Sequence, residues 1–91
     1  MTSTPTIPTI EEIYERLLIF ICRNYMVDDP LSIDRTTSLV DQGIIDSLGL
    51  MEIVTFVQRS FSITIADEEL DRRNFGSVDA IVAFIHRRCV P

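Results

Sequence analysis

The chain has 91 residues, 46% of them hydrophobic, and a formal net charge of −6. That length makes one small domain able to bury a single core, and the acidic balance argues against a nucleic-acid partner, because a phosphate backbone selects Lys- and Arg-rich surfaces. No unbroken apolar run is longer than that of Leu17 to Cys22, too short to span a bilayer, and the start of the sequence lacks the basic and apolar stretches of a signal peptide, so no membrane span and a cytoplasmic location are expected.

Residues 1–8 are rich in Thr and Pro, without periodicity, and are expected to form a disordered leader. The folded domain is expected over residues 9–88, with 89–91 as a tail. Thr9 and Glu12 have capping-box spacing, and Ile10, Ile13, Leu17, Phe20 and Ile21 recur at helical intervals, predicting a first helix over about 10–25. Glu11, Glu12 and Glu15 near its start and Arg23 near its end oppose the helix dipole, which supports the assignment. Pro30 disfavours helix in the residue before it, so a long loop is expected up to Ile45. Such a loop is unusual in a small domain, and Leu31, Ile33, Leu39, Val40 and Ile44 are expected to pin it across the bundle. A short turn is expected near residues 38–42, with Gly43 supplying a backbone conformation that a Cβ would resist.

A second helix is predicted over about 47–60, with Leu50, Ile53, Val54, Val57 and Phe61 on its core face. It carries a second stripe of Leu48, Glu52, Thr55 and Arg59 with Met51 beside it, and Leu48 and Met51 are either the edge of the core or an exposed apolar docking patch. Phe61 to Ile65 reads as an extended connector too isolated for a sheet, and Ala66 to Leu70 as a short third helix whose acids, Asp67 and Glu68, extend the partner surface or are simply solvated. Residues 74–76 are expected to make a turn with Phe75 buried. Ser77 is a candidate N-cap for a last helix over 77–88, with an apolar face of Val78, Ile81, Val82, Phe84 and Ile85. The fold class is all-α, with three main helices and one short one.

Ser47 is the residue to explain. It stands where a helix begins, and the unpaired N–H groups and positive dipole end there accommodate a phosphate. The single His, His86, is distant in the chain and there is no Lys, so nothing near Ser47 in sequence would activate it as a nucleophile; a modified serine is the better reading than a catalytic one. A Ser47–His86–acid triad lacks the Gly-x-Ser-x-Gly elbow and an evident oxyanion site. Asp46 reads as an N-cap worth about 1 kcal/mol. Gly49 either lets an arm or partner approach or is a tolerated substitution. Cys22 and Cys89 have no metal-ligand or redox spacing; Cys22 is expected in the core and Cys89 as an exposed thiol in the tail.

Asp46-Ser47-Leu48 followed by Met51-Glu52-Ile53 resembles the Asp-Ser-Leu-x-x-Val-Glu-Leu signature of acyl carrier proteins, with Met51 for Val and Ile53 for Leu. Thr37-Ser38-Leu39 is similar to the family's Asp-x-Ser-Leu turn, with Thr36 where the acid would be. The resemblance, over roughly residues 9–88, implies an acyl-carrier-type helical bundle with 4′-phosphopantetheine from coenzyme A attached to Ser47 and acyl groups held on its thiol. It implies no catalysis by the domain, which is expected to be a monomer. The implied partners are a phosphopantetheinyl transferase, an acyl- or aminoacyl-activating ligase, and a downstream transferase or synthase; Asp46 would serve transferase recognition, and Leu48, Met51, Glu52, Thr55, Asp67 and Glu68 partner binding. Gly-Ile-Ile-Asp-Ser-Leu-Gly-Leu also looks like discrete carriers loaded by adenylating ligases, which keeps an aminoacyl or peptidyl carrier open; the alternative of another class is an unmodified helical interaction domain that binds partners through Leu48 and Met51. Thr55, Gln58 and Arg59 depart from the acidic second helix usual in carriers of fatty acid synthesis.

Overall fold

The computed structural model describes residues 7–90, so most of the expected leader, residues 1–6, and Pro91 of the tail lie outside the described residues. Among the described residues there are four α-helices: α1 (Ile10–Asn24), α2 (Ser47–Phe61), the single-turn α3 (Arg72–Phe75) and α4 (Val78–Cys89). Two 3-10 turns, Pro30–Ser32 and Asp67–Glu69, punctuate the connections, and the described residues contain no strand.

The helix starts are chemical. Thr9 Oγ1 accepts from the Glu12 N–H at 3.1 Å while Glu12 Oε1 accepts from the Thr9 N–H at 3.0 Å, a complete capping box. Asp46, Asp71 and Ser77 cap α2, α3 and α4 in the same way, each side-chain oxygen accepting from an N–H three residues on. The end of α1 has a different cause from the proline expected there. Met26 turns left-handed at φ 56, four residues before Pro30, and the Val27 N–H returns to the Cys22 carbonyl at 3.3 Å.

Ile13, Leu17 and Ile21 of α1, Ile53, Val54 and Val57 of α2, and Val78, Ile81, Val82, Phe84 and Ile85 of α4 form the core, closed by Phe75 of α3. Burying these side chains removes apolar surface from water at about 25 cal/mol per Å². Phe75 packs against Phe84 with ring centroids 5.0 Å apart.

The loop between α1 and α2 is pinned by fewer apolar anchors than the five expected. Ile33 and Leu39 are buried and Ile44 half-buried, but Leu31 is 92% and Val40 42% exposed, and Ile45 takes a buried place instead. Polar contacts complete the work. Gln42 Oε1 accepts from the Asp34 N–H at 2.9 Å, and its amide nitrogen donates to the carbonyls of Asp34 and Thr37 at 2.7 and 2.8 Å. The Leu39 N–H donates to the Gly76 carbonyl and the Asp79 N–H to the Arg35 carbonyl, each at 2.9 Å, tying the loop to the start of α4. Gly43 has the positive φ, 75°, that the turn requires.

Three further expectations change. The Ala66–Leu70 helix is only a 3-10 turn, too short to bury a face of its own. The turn expected at residues 74–76 is instead the end of α3, because Asp71 caps a helical turn that buries Phe75. Cys89 belongs to α4 and is half-buried, with burial raising its thiol pKa; Cys22 is also half-buried, and both are free.

Candidate functional site

Asp46 ends the loop in extended backbone, φ −106 and ψ −172, and its Oδ1 accepts from the Gly49 N–H at 2.8 Å. Ser47 is therefore the first helical residue of α2, and it is exposed. In that position the N–H groups of the first turn face outward beside its hydroxyl, at the positive end of the macrodipole.

A brace from α1 holds this turn. The Tyr25 hydroxyl donates to Glu52 Oε1 at 2.7 Å and lies 3.1 Å from the Gly49 carbonyl oxygen. Burial, and then the hydrogen bond to Glu52, raise the Tyr25 pKa well above the ordinary phenol value. Gly49 is buried between Ile45 and this tyrosine: a Cβ there would meet Ile45 Cβ at 3.0 Å and Tyr25 Cε1 at 3.3 Å. The glycine thus permits close packing inside the domain, which is neither the approach of a partner nor a neutral replacement. Helical periodicity gave no signal for Tyr25, because it lies in the C-cap of α1; its partner, Glu52, is far along the chain.

The stripe on α2 is exposed. Leu48 is 76% and Met51 49% exposed, with Glu52 and Thr55 exposed beside them, and the Thr55 hydroxyl donates to the Met51 carbonyl at 3.1 Å. Large apolar side chains left in water next to a helix start are a feature of contact surfaces. Asp67 and Glu68 are exposed on their 3-10 turn but line neither of the two cavities around Ser47.

Those cavities flank the start of α2. One is a cleft of about 220 Å³ to which Ser47 itself contributes, with Leu39, Val40, Leu50, Leu70 and Phe75 as apolar wall and both Asp71 and Arg72 in its lining. The other is an open depression bounded by Tyr25, Ile44, Asp46, Leu48, Gly49 and Glu52. Leu70 and Arg72 were not legible as site residues, because only the fold brings the 3-10 turn and α3 against the start of α2. His86 lies in the last turn of α4 and lines neither cavity.

An exposed serine on a capped helix start beside an apolar cleft fits a covalently attached phosphodiester arm. The first-turn N–H groups favour the phosphate, and the cleft wall offers apolar contact.

Comparison with known proteins agrees with this chemistry. A family model described as "Phosphopantetheine attachment site" matches residues 15–85. The chain is 25% identical over 72 residues to "Probable acyl carrier protein PigG" of Serratia sp., covering 79% of this chain and 83% of that protein. It is 31% identical over 75 residues to "Acyl carrier protein, mitochondrial" of Neurospora crassa, covering 82% of this chain and 54% of that protein, so it spans about half the length of that relative.

Proposed function

From the premise that the chain belongs to the phosphopantetheine attachment-site family and is an acyl carrier bearing covalent 4′-phosphopantetheine, we propose that Ser47 is its point of attachment. The observation that carries the assignment is the exposed position of Ser47 at the first residue of a helix whose start is capped by Asp46. The arm supplies a thiol on which an acyl group is held as a thioester.

The residues of the chain divide the remaining work. Ser47 Oγ is the acceptor atom for the phosphoryl group, and Asp46 fixes the first turn while presenting negative charge to the transferase. The first-turn N–H groups that Asp46 leaves unpaired offset the charge of the phosphodiester. Leu48 and Met51 give partner enzymes an apolar foothold, with Glu52 and Thr55 as its polar margin and Asp67 and Glu68 as a more distant acidic extension. The cleft lined by Leu39, Val40, Leu50, Leu70 and Phe75 shelters apolar groups near Ser47. Tethering raises the effective concentration of the cargo at each enzyme that docks.

In this reading the domain is a carrier and a covalent substrate, not a catalyst. Its partners are a phosphopantetheinyl transferase, an acyl-activating ligase, and a transferase or synthase that takes the cargo onward. No described helix is long and apolar enough to cross a membrane, and the acidic composition with two free thiols supports residence in the cytoplasm.

Intact-protein mass spectrometry after incubation with coenzyme A, Mg²⁺ and a broad-specificity phosphopantetheinyl transferase tests the assignment. The wild type is expected to gain one phosphopantetheinyl group and Ser47→Ala none. An equal gain by Ser47→Ala would move the attachment elsewhere, and no gain by folded wild type would remove the basis for the proposal.

A further inference from the structure

A groove between α1 and α2, away from Ser47, has a charge opposite to that of the molecule. The chain carries fourteen acids against eight basic residues, all arginine. Yet the groove is lined by Arg16, Ile19, Phe20, Arg23 and Asn24 of α1 and by Phe56 and Ser60 of α2, two cations and no carboxylate, around a volume of about 430 Å³. It shares no lining residue with either cavity at Ser47.

Its floor is a stack of Phe20 on Phe56, with centroids 4.2 Å apart and planes inclined by 19°. Ile19 stands on its rim, 48% exposed. The two cations lie outside the ion pairs of the fold. Other arginines are engaged within the fold, Arg35 with Asp79 at 3.9 Å and Arg88 with Glu69. Arg16 and Arg23 make no ion pair among the described residues; Arg16 only lies over the Phe61 ring, 5.4 Å from its centroid. Glu12, one turn before Arg16, has its Oε1 committed to the Thr9 N–H; the Thr9 hydrogen bonds, and then the nearby Arg16, hold its carboxyl below the usual range.

We propose that this groove docks an acidic amphipathic helix of a partner protein, lying along α1 with two carboxylates seven residues apart on Arg16 and Arg23 and apolar residues between them on Ile19, Phe20 and Phe56. The spacing selects the occupant. Arg16 and Arg23 are two helical turns apart, about 10 Å, which a helix matches with acids at i and i+7 and apolar residues at i+3 and i+4. A single-headed amphiphile satisfies only one of the two guanidiniums. Because the groove is separate from Ser47, a partner seated there leaves the start of α2 open to a second enzyme.

The test is an NMR titration of the ¹⁵N-labelled full chain with a synthetic helical peptide carrying Glu at i and i+7 and Leu at i+3 and i+4, beside a matched peptide with Lys for Glu. Saturable amide shifts are expected at Ile19, Phe20, Arg23, Phe56 and Ser60, with affinity falling as salt is raised. Arg16→Glu/Arg23→Glu should bind the Glu peptide at least tenfold more weakly and prefer the Lys peptide. Both arginines are exposed, and the neutral Arg16→Gln/Arg23→Gln, checked by thermal melting, should fall between the two and separate lost charge from lost fold. Equal affinity of the Glu peptide for wild type and the neutral variant, or no saturable shift at these residues, would overturn the proposal. So would a response to sodium laurate or phosphatidylglycerol vesicles with none to the peptide, which would give the groove to an anionic amphiphile.

Discussion

Tyr25 is a single side chain that joins two helices. Its ring packs on Gly49 and its hydroxyl donates to Glu52, so the C-cap of α1 sets the position of the turn that bears Ser47. Tyr25→Phe keeps the ring and removes the donor, and is expected to cost about 1 kcal/mol in urea unfolding. The pH dependence has a definite sign. With the folded pKa raised above the ordinary 10.0, the stabilisation is fully present below that value. It is lost as pH rises past it, because the unfolded chain then releases the proton first. The difference in unfolding free energy between wild type and Tyr25→Phe is therefore expected to hold steady up to about pH 10 and to shrink above it. A gap that stays constant or widens would show that the phenol is not held in its neutral form.

Helix α2 combines a core face, an exposed stripe and the start that bears Ser47 in fifteen residues. At that start the capping and the charge of Asp46 can be separated by substitution. Asp46→Ala removes the acceptor for the Gly49 N–H and is expected to cost about 1 kcal/mol. Asp46→Asn keeps a good cap and loses only the charge–dipole interaction, about 0.5 kcal/mol. If the transferase reads the negative charge, Asp46→Asn will accept phosphopantetheine several-fold more slowly while melting close to wild type. A transfer rate equal to wild type in that variant would reduce Asp46 to a cap.

Across the whole molecule, Phe75 closes the bundle from a helix of only four residues. It is 1% exposed, touches Phe84, and precedes Gly76, whose carbonyl receives the Leu39 N–H from the long loop. Phe75→Ala is expected to cost about 3–5 kcal/mol, from lost burial and the cavity left behind. At roughly 0.05–0.15 kcal/mol of stability per residue, that is a large part of what a domain of this size has. Equilibrium urea unfolding should show a much lower midpoint, and hydrogen exchange at Leu39 and Asp79 should accelerate with it, since the loop is tied to the same end of the bundle. Unchanged protection at those two amides would show that the loop is held independently of α3.

What the sequence determined is local. Thr9, Asp46 and Ser77 cap helices because a side-chain oxygen three residues from an unpaired N–H satisfies it wherever the helix goes, and the apolar spacing in α1, α2 and α4 follows from 3.6 residues per turn. The exposed serine at a helix start was legible for that reason, as was the turn glycine at Gly43. What only the tertiary structure decided depends on groups distant in the chain. Leu31 and Val40 look like core anchors by composition, but whether an apolar side chain in an irregular loop points inward is set by where the loop is tied, here by Gln42 and by the Leu39 and Asp79 amides. Gly49 acquired its meaning from Tyr25 and Ile45, and Arg72 its place beside Ser47 from the short α3. The positive groove on an acidic chain belongs to the same class, because net charge sums over the sequence whereas the field at a surface depends on which charges the fold sets side by side.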